Sequence, residues 1–160
     1  MSAIISECGL YRYRLERILD PTNPRICLFV MLNPSTADAE QDDPTIRRCK
    51  AFAKREGCGR LVVVNLFAYR ATSPKDMKSV VSPIGDLNNT HLRAAVAETY
   101  KNRGVVVIAW GTHGTYQARD VQVRRLINDE AVVPVCLGKT KSGCPKHPLY
   151  VSADAPLWPY

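Results

Sequence analysis

Four short stretches of this 160-residue chain hold the side chains that can do chemistry. They are Asn33-Pro34-Ser35-Thr36-Ala37-Asp38, Asn65 to Thr72, Trp110 to His113, and Lys139 to His147. The carboxamides at 33 and 65 each offer a donor beside an acceptor, which is what pairing with a planar ligand edge requires. Asp38 and Asp43 can accept a proton or hold a water, and His113 and His147 can donate one. Polar residues at strand ends are ordinary, because such ends meet water. What marks a site is that amides and a histidine recur there, in place of the Lys and Glu of a merely solvated rim.

Other chemistries lack their signatures. Gly57-Cys58-Gly59 precedes an apolar run rather than following one, so it is not a dinucleotide-binding turn. No phosphate loop and no Gly-x-Ser-x-Gly elbow is present. The six cysteines, at 8, 27, 49, 58, 136 and 144, include no Cys-x-x-Cys pair. Cys27 and Cys136 sit in apolar runs, where a buried reduced thiol is the default. Zinc needs clustered ligands, so neither a metal nor a cofactor is expected. Cys144, the one cysteine within the four stretches, keeps a nucleophilic thiol open as an alternative.

The elements that must position these groups follow from the apolar pattern. Ile26 to Leu32 reads as a strand buried on both faces, and Pro34 ends it. Asp43-Pro44 opens a helix that Gly57 closes, with Ile46, Cys49, Phe52 and Ala53 inward. Leu61 to Val64 is a second buried strand, Val105 to Ala109 a third and Val132 to Leu137 a fourth, Pro134 marking the last as edge-like or irregular. A proline-containing connection spans Ser73 to Leu87. Asn88 or Asn89 caps a helix to Arg103, with Leu92, Ala95, Val96 and Tyr100 inward, and a further helix runs from Thr115 to Asn128. Tyr11 to Ile18 alternates apolar and charged residues, as an edge or meander strand with one wet face. Alternating strands and helices imply an α/β three-layer sandwich with a mainly parallel central sheet. Parallel strands place their carboxyl ends on one side, so the four polar stretches should converge there.

At 160 residues the chain is one domain, residues 1–160, with a real core. It is 46% hydrophobic and 23% charged, as globular proteins are. The net charge of +7 favours an anionic partner, nucleic acid before lipid. Met1 to Gly9 lacks the pattern of a signal peptide, and no apolar run approaches a membrane span, so a cytoplasmic protein is expected.

The content and order of the polar stretches resemble the uracil-DNA glycosylase superfamily. Met31-Leu32-Asn33-Pro34-Ser35 is similar to that family's first motif, with Ser35 where a glycine is usual. Val62-Val63-Val64-Asn65, with Arg70 and Thr72, resembles the strand whose asparagine reads the base; Ile108-Ala109-Trp110-Gly111 and His147-Pro148 resemble two later motifs. The likeness spans Arg25 to Val151. More closely, the chain resembles a small bacterial and phage family marked by Asn-Pro-Ser-x-Ala-Asp, Asp-Pro-Thr and His-Pro-Leu-Tyr, here at Asn33 to Asp38, Asp43 to Thr45 and His147 to Tyr150.

The resemblance implies a uracil-DNA glycosylase-like fold and a monomeric DNA glycosylase that flips out one nucleotide and hydrolyses its glycosidic bond. Asn33, Asp38, Asp43 and His147 would be catalytic. Asn33, Asp38 or Asp43 would handle the water and His147 would donate to the base, while Asp42 is left to solvent. Ser35, Asn65, Phe67, Tyr69 and His113 would hold the base, and Leu149 stands where a leucine wedge is usual. Arg47, Arg70, Lys139, Lys141 and Lys146 would grip phosphates. Arg48 joins Arg47 at a helix start, where cations are disfavoured unless an anion binds. The first motif lacks the acid of the strongest uracil enzymes, which points away from plain uracil. Small residues beside it make room for a hypermodified phage pyrimidine, such as glucosylated hydroxymethylcytosine, in antiviral defence. Two other readings keep the pocket: hydrolysis or transfer on free nucleosides or nucleotides, and a nucleic-acid-binding module without chemistry.

Overall fold

Buried at every residue, Ile26–Met31 is the middle strand of a seven-stranded sheet in the computed structural model, which describes residues 2–35 and 41–160. In chain order the elements are β1 (Ser2–Ile5), β2 (Arg12–Ile18), β3 (Ile26–Met31), α1 (Pro44–Arg55), β4 (Arg60–Asn65), α2 (Pro74–Lys78), α3 (Asn88–Lys101), β5 (Val105–Ile108), α4 (Arg119–Asp129), β6 (Val135–Cys136) and β7 (Trp158–Pro159). The strand order is β1-β2-β4-β3-β5-β6-β7. The centre, β4-β3-β5-β6, is parallel, and β2 and β7 join its two sides antiparallel. The fold is therefore mixed α/β with a mainly parallel centre.

Side-chain alternation along β3 divides the core. Cys27, Phe29 and Met31 pack with Ile46, Cys49, Phe52 and Ala53 of α1. Ile26, Leu28 and Val30 pack on the opposite face with Leu92 and Val96 of α3 and Val123 and Ile127 of α4. The period-2 reversal of side chains is what lets one short strand feed both layers.

Several expectations are corrected. Of the two readings of Tyr11 to Ile18, the edge one falls, because β1 takes the edge, while the meander one fits, since β2 lies antiparallel between β1 and β4. Its charges are not wet either. Arg14 pairs with Glu16 and with Glu98 of α3, at 3.1 and 2.8 Å, and Arg60 reaches Glu16 and Glu98 at 2.6 and 2.9 Å. Arg17 is buried and bonds Asp42, which also holds Lys50, so Asp42 is paired rather than solvated. Burial pushes the Asp42 carboxyl up, but hydrogen bonds from Lys50 and Arg17 outweigh it and leave its pKa below the ordinary value.

The helix expected from Thr115 begins only at Arg119. Residues Thr112–Ala118 form 3-10 turns in which Gln117 and Ala118 take φ of +54° and +52°. The cause is local: the chain wraps the Trp110 indole so closely that a Cβ on Gly114 would lie 2.1 Å from Trp110 Cδ1. The connection Ser73 to Leu87 contains α2, started by Ser73 Oγ accepting from Asp76 N at 3.2 Å with Pro74 following it. The fourth strand is only two residues long, and Trp158–Pro159 of the aromatic tail extends the sheet beside it. On α3 neither asparagine caps, since Leu87 holds the cap position without a side-chain bond. Tyr100 is 63% exposed, and Thr99 turns inward in its place. Among the described residues no helix is long and apolar enough to cross a membrane.

Candidate functional site

The carboxyl ends of β3, β4 and β5 open on one cleft of about 780 Å³. From the end of β3 come Leu32, Asn33 and Ser35; from β4, Asn65; from beyond β5, Trp110 to His113; from beyond β6, Thr140, Lys146 and His147. The start of α1 adds Asp43, Thr45 and Ile46. Of the residues expected in the site, Asn33, Ser35, Asp43, Asn65, His113, Lys146 and His147 are thus brought together.

Asp43 holds two posts at once. Its Oδ1 accepts from Ile46 N at 2.7 Å as the cap of α1, and its Oδ2 accepts from Ser35 Oγ at 3.1 Å. Asn33 donates both amide hydrogens, to Ala71 O at 3.0 Å and Pro34 O at 3.2 Å, so what it can offer the cleft is its Oδ1 acceptor. The amide that closes the strand and the acceptor a site needs are therefore the same residue.

His147 caps the 3-10 turn Pro148–Tyr150, its Nδ1 accepting from Leu149 N at 3.2 Å. That bond assigns the neutral ring's proton to Nε2. Burial lowers the imidazole's pKa below its ordinary value, only partly opposed by the Asp43 charge. At neutral pH His147 is consequently an uncharged Nε2–H donor.

Asn65 differs from these three. It is only 3% exposed, yet its carboxamide makes no hydrogen bond to a described residue. Its backbone is fixed from behind. Asn88 Nδ2 donates to Asn65 O and Leu66 O at 3.0 and 2.9 Å, and the buried Arg119 donates through Nε to Leu66 O at 2.7 Å. Burial pushes the Arg119 guanidinium down to about 10. The buried Trp110, just beyond β5, lines the same cleft.

The remaining expected residues lie elsewhere. Phe67 is wholly buried in the core, its ring 5.7 Å from that of Tyr116, and Tyr69 meets Tyr11 edge-on at 5.9 Å. Arg47 donates to Asp42 O at 2.6 Å and Arg70 to Gly9 O at 3.0 Å. Lys139 sits 4.5 Å over the Tyr160 ring, and Lys141 is exposed outside the cleft. Asp38 lies outside the described residues. His113 reaches the cleft but is exposed, with Nδ1 3.1 Å from Lys78 Nζ.

One buried cation in the cleft lies in the alternating strand, where an arginine that could touch phosphates more commonly keeps the strand soluble. Arg12 opens β2, lines the cleft at 5% exposure, and is pushed down to about 10 by burial, so it stays charged at neutral pH. An arginine in an alternating strand reads as a wet-face residue. Only the antiparallel pairing of β2 on β4, with Arg12 N donating to Ala68 O at 2.9 Å, carries it to the ligand side. The cleft therefore combines a fixed neutral donor, a carboxylate, an acceptor amide, a deep uncommitted amide and two cations.

No curated protein and no solved structure matches the chain. Residues 12–149 match the family described as "Protein of unknown function (DUF1643)", and the chain belongs to that family.

Proposed function

We propose that the protein is a DNA glycosylase that extrudes one nucleotide and hydrolyses the N-glycosidic bond of a bulky modified base. One observation carries the reading: Asn33 with Asp43, Asn65 and His147, from three distant parts of the chain, line a single cleft. Breaking that bond builds positive charge on the sugar and negative charge on the departing base. A neutral Nε2–H at His147 meets the developing negative charge without a proton having to be lost first. The Asp43 carboxylate offsets the sugar's positive charge and, with Asn33 Oδ1, holds the attacking water. Asn65 pairs with the edge of the base, and Trp110 supplies the apolar floor beneath it. Arg12 and Lys146 face the phosphates that flank the extruded nucleotide. A mainly parallel sheet with its cleft at the carboxyl edge supports a uracil-DNA glycosylase-like fold.

Size argues for the bulky base. About 780 Å³ falls within the roughly 300–1,000 Å³ of pockets that enclose a drug-sized ligand, far more than a bare pyrimidine fills. Glucosylated hydroxymethylcytosine meets that size, and its removal from phage DNA would serve antiviral defence in the cytoplasm. The test is incubation with duplexes carrying uracil, hypoxanthine, alkylated bases or glucosylated hydroxymethylcytosine, followed by alkaline scission of abasic sites. Scission of the glucosylated duplex, lost in His147→Ala, is expected. Intact strands throughout would remove the reading.

A second reading is favoured by one specific observation: of five cations expected on phosphates, only Lys146 lines the cleft. That suits hydrolysis of a free nucleoside or nucleotide. Salt separates the two, because each phosphate contact to DNA steepens the loss of affinity with ionic strength.

A further inference from the structure

Helix α1 carries two arginines seven residues apart, hence on one face. Both lie against the Phe52 ring, with guanidinium carbons 5.7 Å (Arg48) and 4.8 Å (Arg55) from its centroid. Both reach across to backbone carbonyls of the segment that follows His147. Arg48 donates through Nε to Pro148 O at 3.3 Å and through Nη2 to Val151 O. Arg55 donates to Ala153 O and Ala155 O at 3.2 and 2.7 Å. The helix dipole gives a cation no reason to sit as early in α1 as Arg48 does. The two carbonyls it binds give it one.

Pro148 belongs to the 3-10 turn that His147 caps, and Val151 is the residue that ends that turn. The same turn sets the imidazole: Leu149 N donates to His147 Nδ1, and Tyr150 N donates to His147 O at 3.0 Å. Among the described residues, the charged and aromatic groups that share the cleft with the ring or contact it include Asp43 at the start of α1, Lys146 just before it in the chain, and the Tyr150 ring at 5.6 Å. One helix thus anchors both Asp43, through its cap, and His147, through Arg48.

We propose that Arg48 is a positioning residue for His147: by holding the carbonyls of Pro148 and Val151 it fixes the turn that points Nε2–H into the cleft. The inference rests on the reading of His147 as the donor to the departing base. A planar fork suits two carbonyls, whereas a lysine in its place could bind one at a time.

The test follows His147 itself. Long-range ¹H–¹⁵N spectra of the imidazoles, recorded across pH, report its tautomer and its pKa with no substrate present. For the native protein the Nε2–H tautomer and a pKa below the ordinary imidazole value are expected, the latter from burial. Arg48→Met brings the pKa back toward 6.5 and mixes the tautomers, and Arg48→Lys, which keeps the charge and secures folding, does so in part. Arg55→Met, which loosens the same segment farther on, leaves His147 unchanged. With a cleavable duplex, kcat falls on the order of 10²-fold in Arg48→Met while KM holds, the effect of a misplaced reacting group. Unaltered His147 signals in both Arg48 variants, or the same change in Arg55→Met, would overturn the proposal. If the signals move as expected and no duplex is ever cut, it is the glycosylase reading that fails, and the positioning of His147 stands.

Discussion

The two walls of the cleft are built on opposite rules. At the end of β3, the start of α1 and the turn after β6, Asn33, Asp43 and His147 each use part of their hydrogen-bonding capacity on a neighbour, and that bond fixes how the remainder faces the cavity. At the ends of β4 and β5, Asn65 is more deeply buried and its carboxamide is uncommitted among the described residues, and the buried Trp110 lines the same cleft. A carboxamide without a protein partner at the cleft keeps its donor and acceptor for a ligand edge. The difference teaches a division of labour, in which one wall holds reacting groups in a set orientation and the other waits for a ligand edge.

Breaking one wall at a time tests that division. The largest effect is expected for His147→Ala, a loss of about 10²–10⁴-fold in turnover of a cleavable duplex. Because Leu149 N also loses its acceptor, stability should fall by about 1 kcal/mol, seen as a Tm lower by about 2–4 °C. Asn65→Ala should separate the two quantities. Ligand affinity, measured by titration, drops about tenfold or more, while Tm holds or rises, since no bond to a described residue is removed. A large fall in Tm there would show both walls to be of one kind.

Gly114→Ala acts on the floor. With 2.1 Å between the new Cβ and Trp110 Cδ1, the indole or the turn must move, at a cost of about 1–3 kcal/mol. Thermal melting should register that cost, and tryptophan emission should shift as Trp110 gains water. The smallest effect is on pH dependence. Burial lowers the pKa of His147, and burial with the Arg14 charge lowers that of His91. The folded state therefore binds fewer protons than the unfolded chain. Their contribution to stability is complete above about 6.5 and is lost as pH falls from there through the folded values. His147→Ala should flatten part of that slope, whereas Asn65→Ala should leave it unchanged.

Much of the centre was readable because β3, β4 and β5 are short apolar runs covered on both faces, and their ends carry the amides. The α1 cap was equally plain, since Asp followed by Pro suits the cap and first position of a helix. The margins were not. β6 and β7 have two residues each, too few for any period, and β1 has four. Arg12 and Arg17 mislead because charge in an alternating strand signals solvent, while here their burial depends on pairing distant in sequence. Phe67 misleads in the other direction, because a residue just beyond a strand end can still point back into the core.

The place of β2 bears on how the molecule comes into being. It precedes β3 in the chain, but within the sheet it pairs with β1 and β4, with Ile18 opposite Arg60. Its main partner is therefore missing until β3 and α1 have been laid down and the polypeptide has returned. Closing so wide a loop is entropically costly and slow. Arg12 reaches its post only after that closure, so the pocket is completed late in folding, and a nascent chain released before β4 would carry no assembled site.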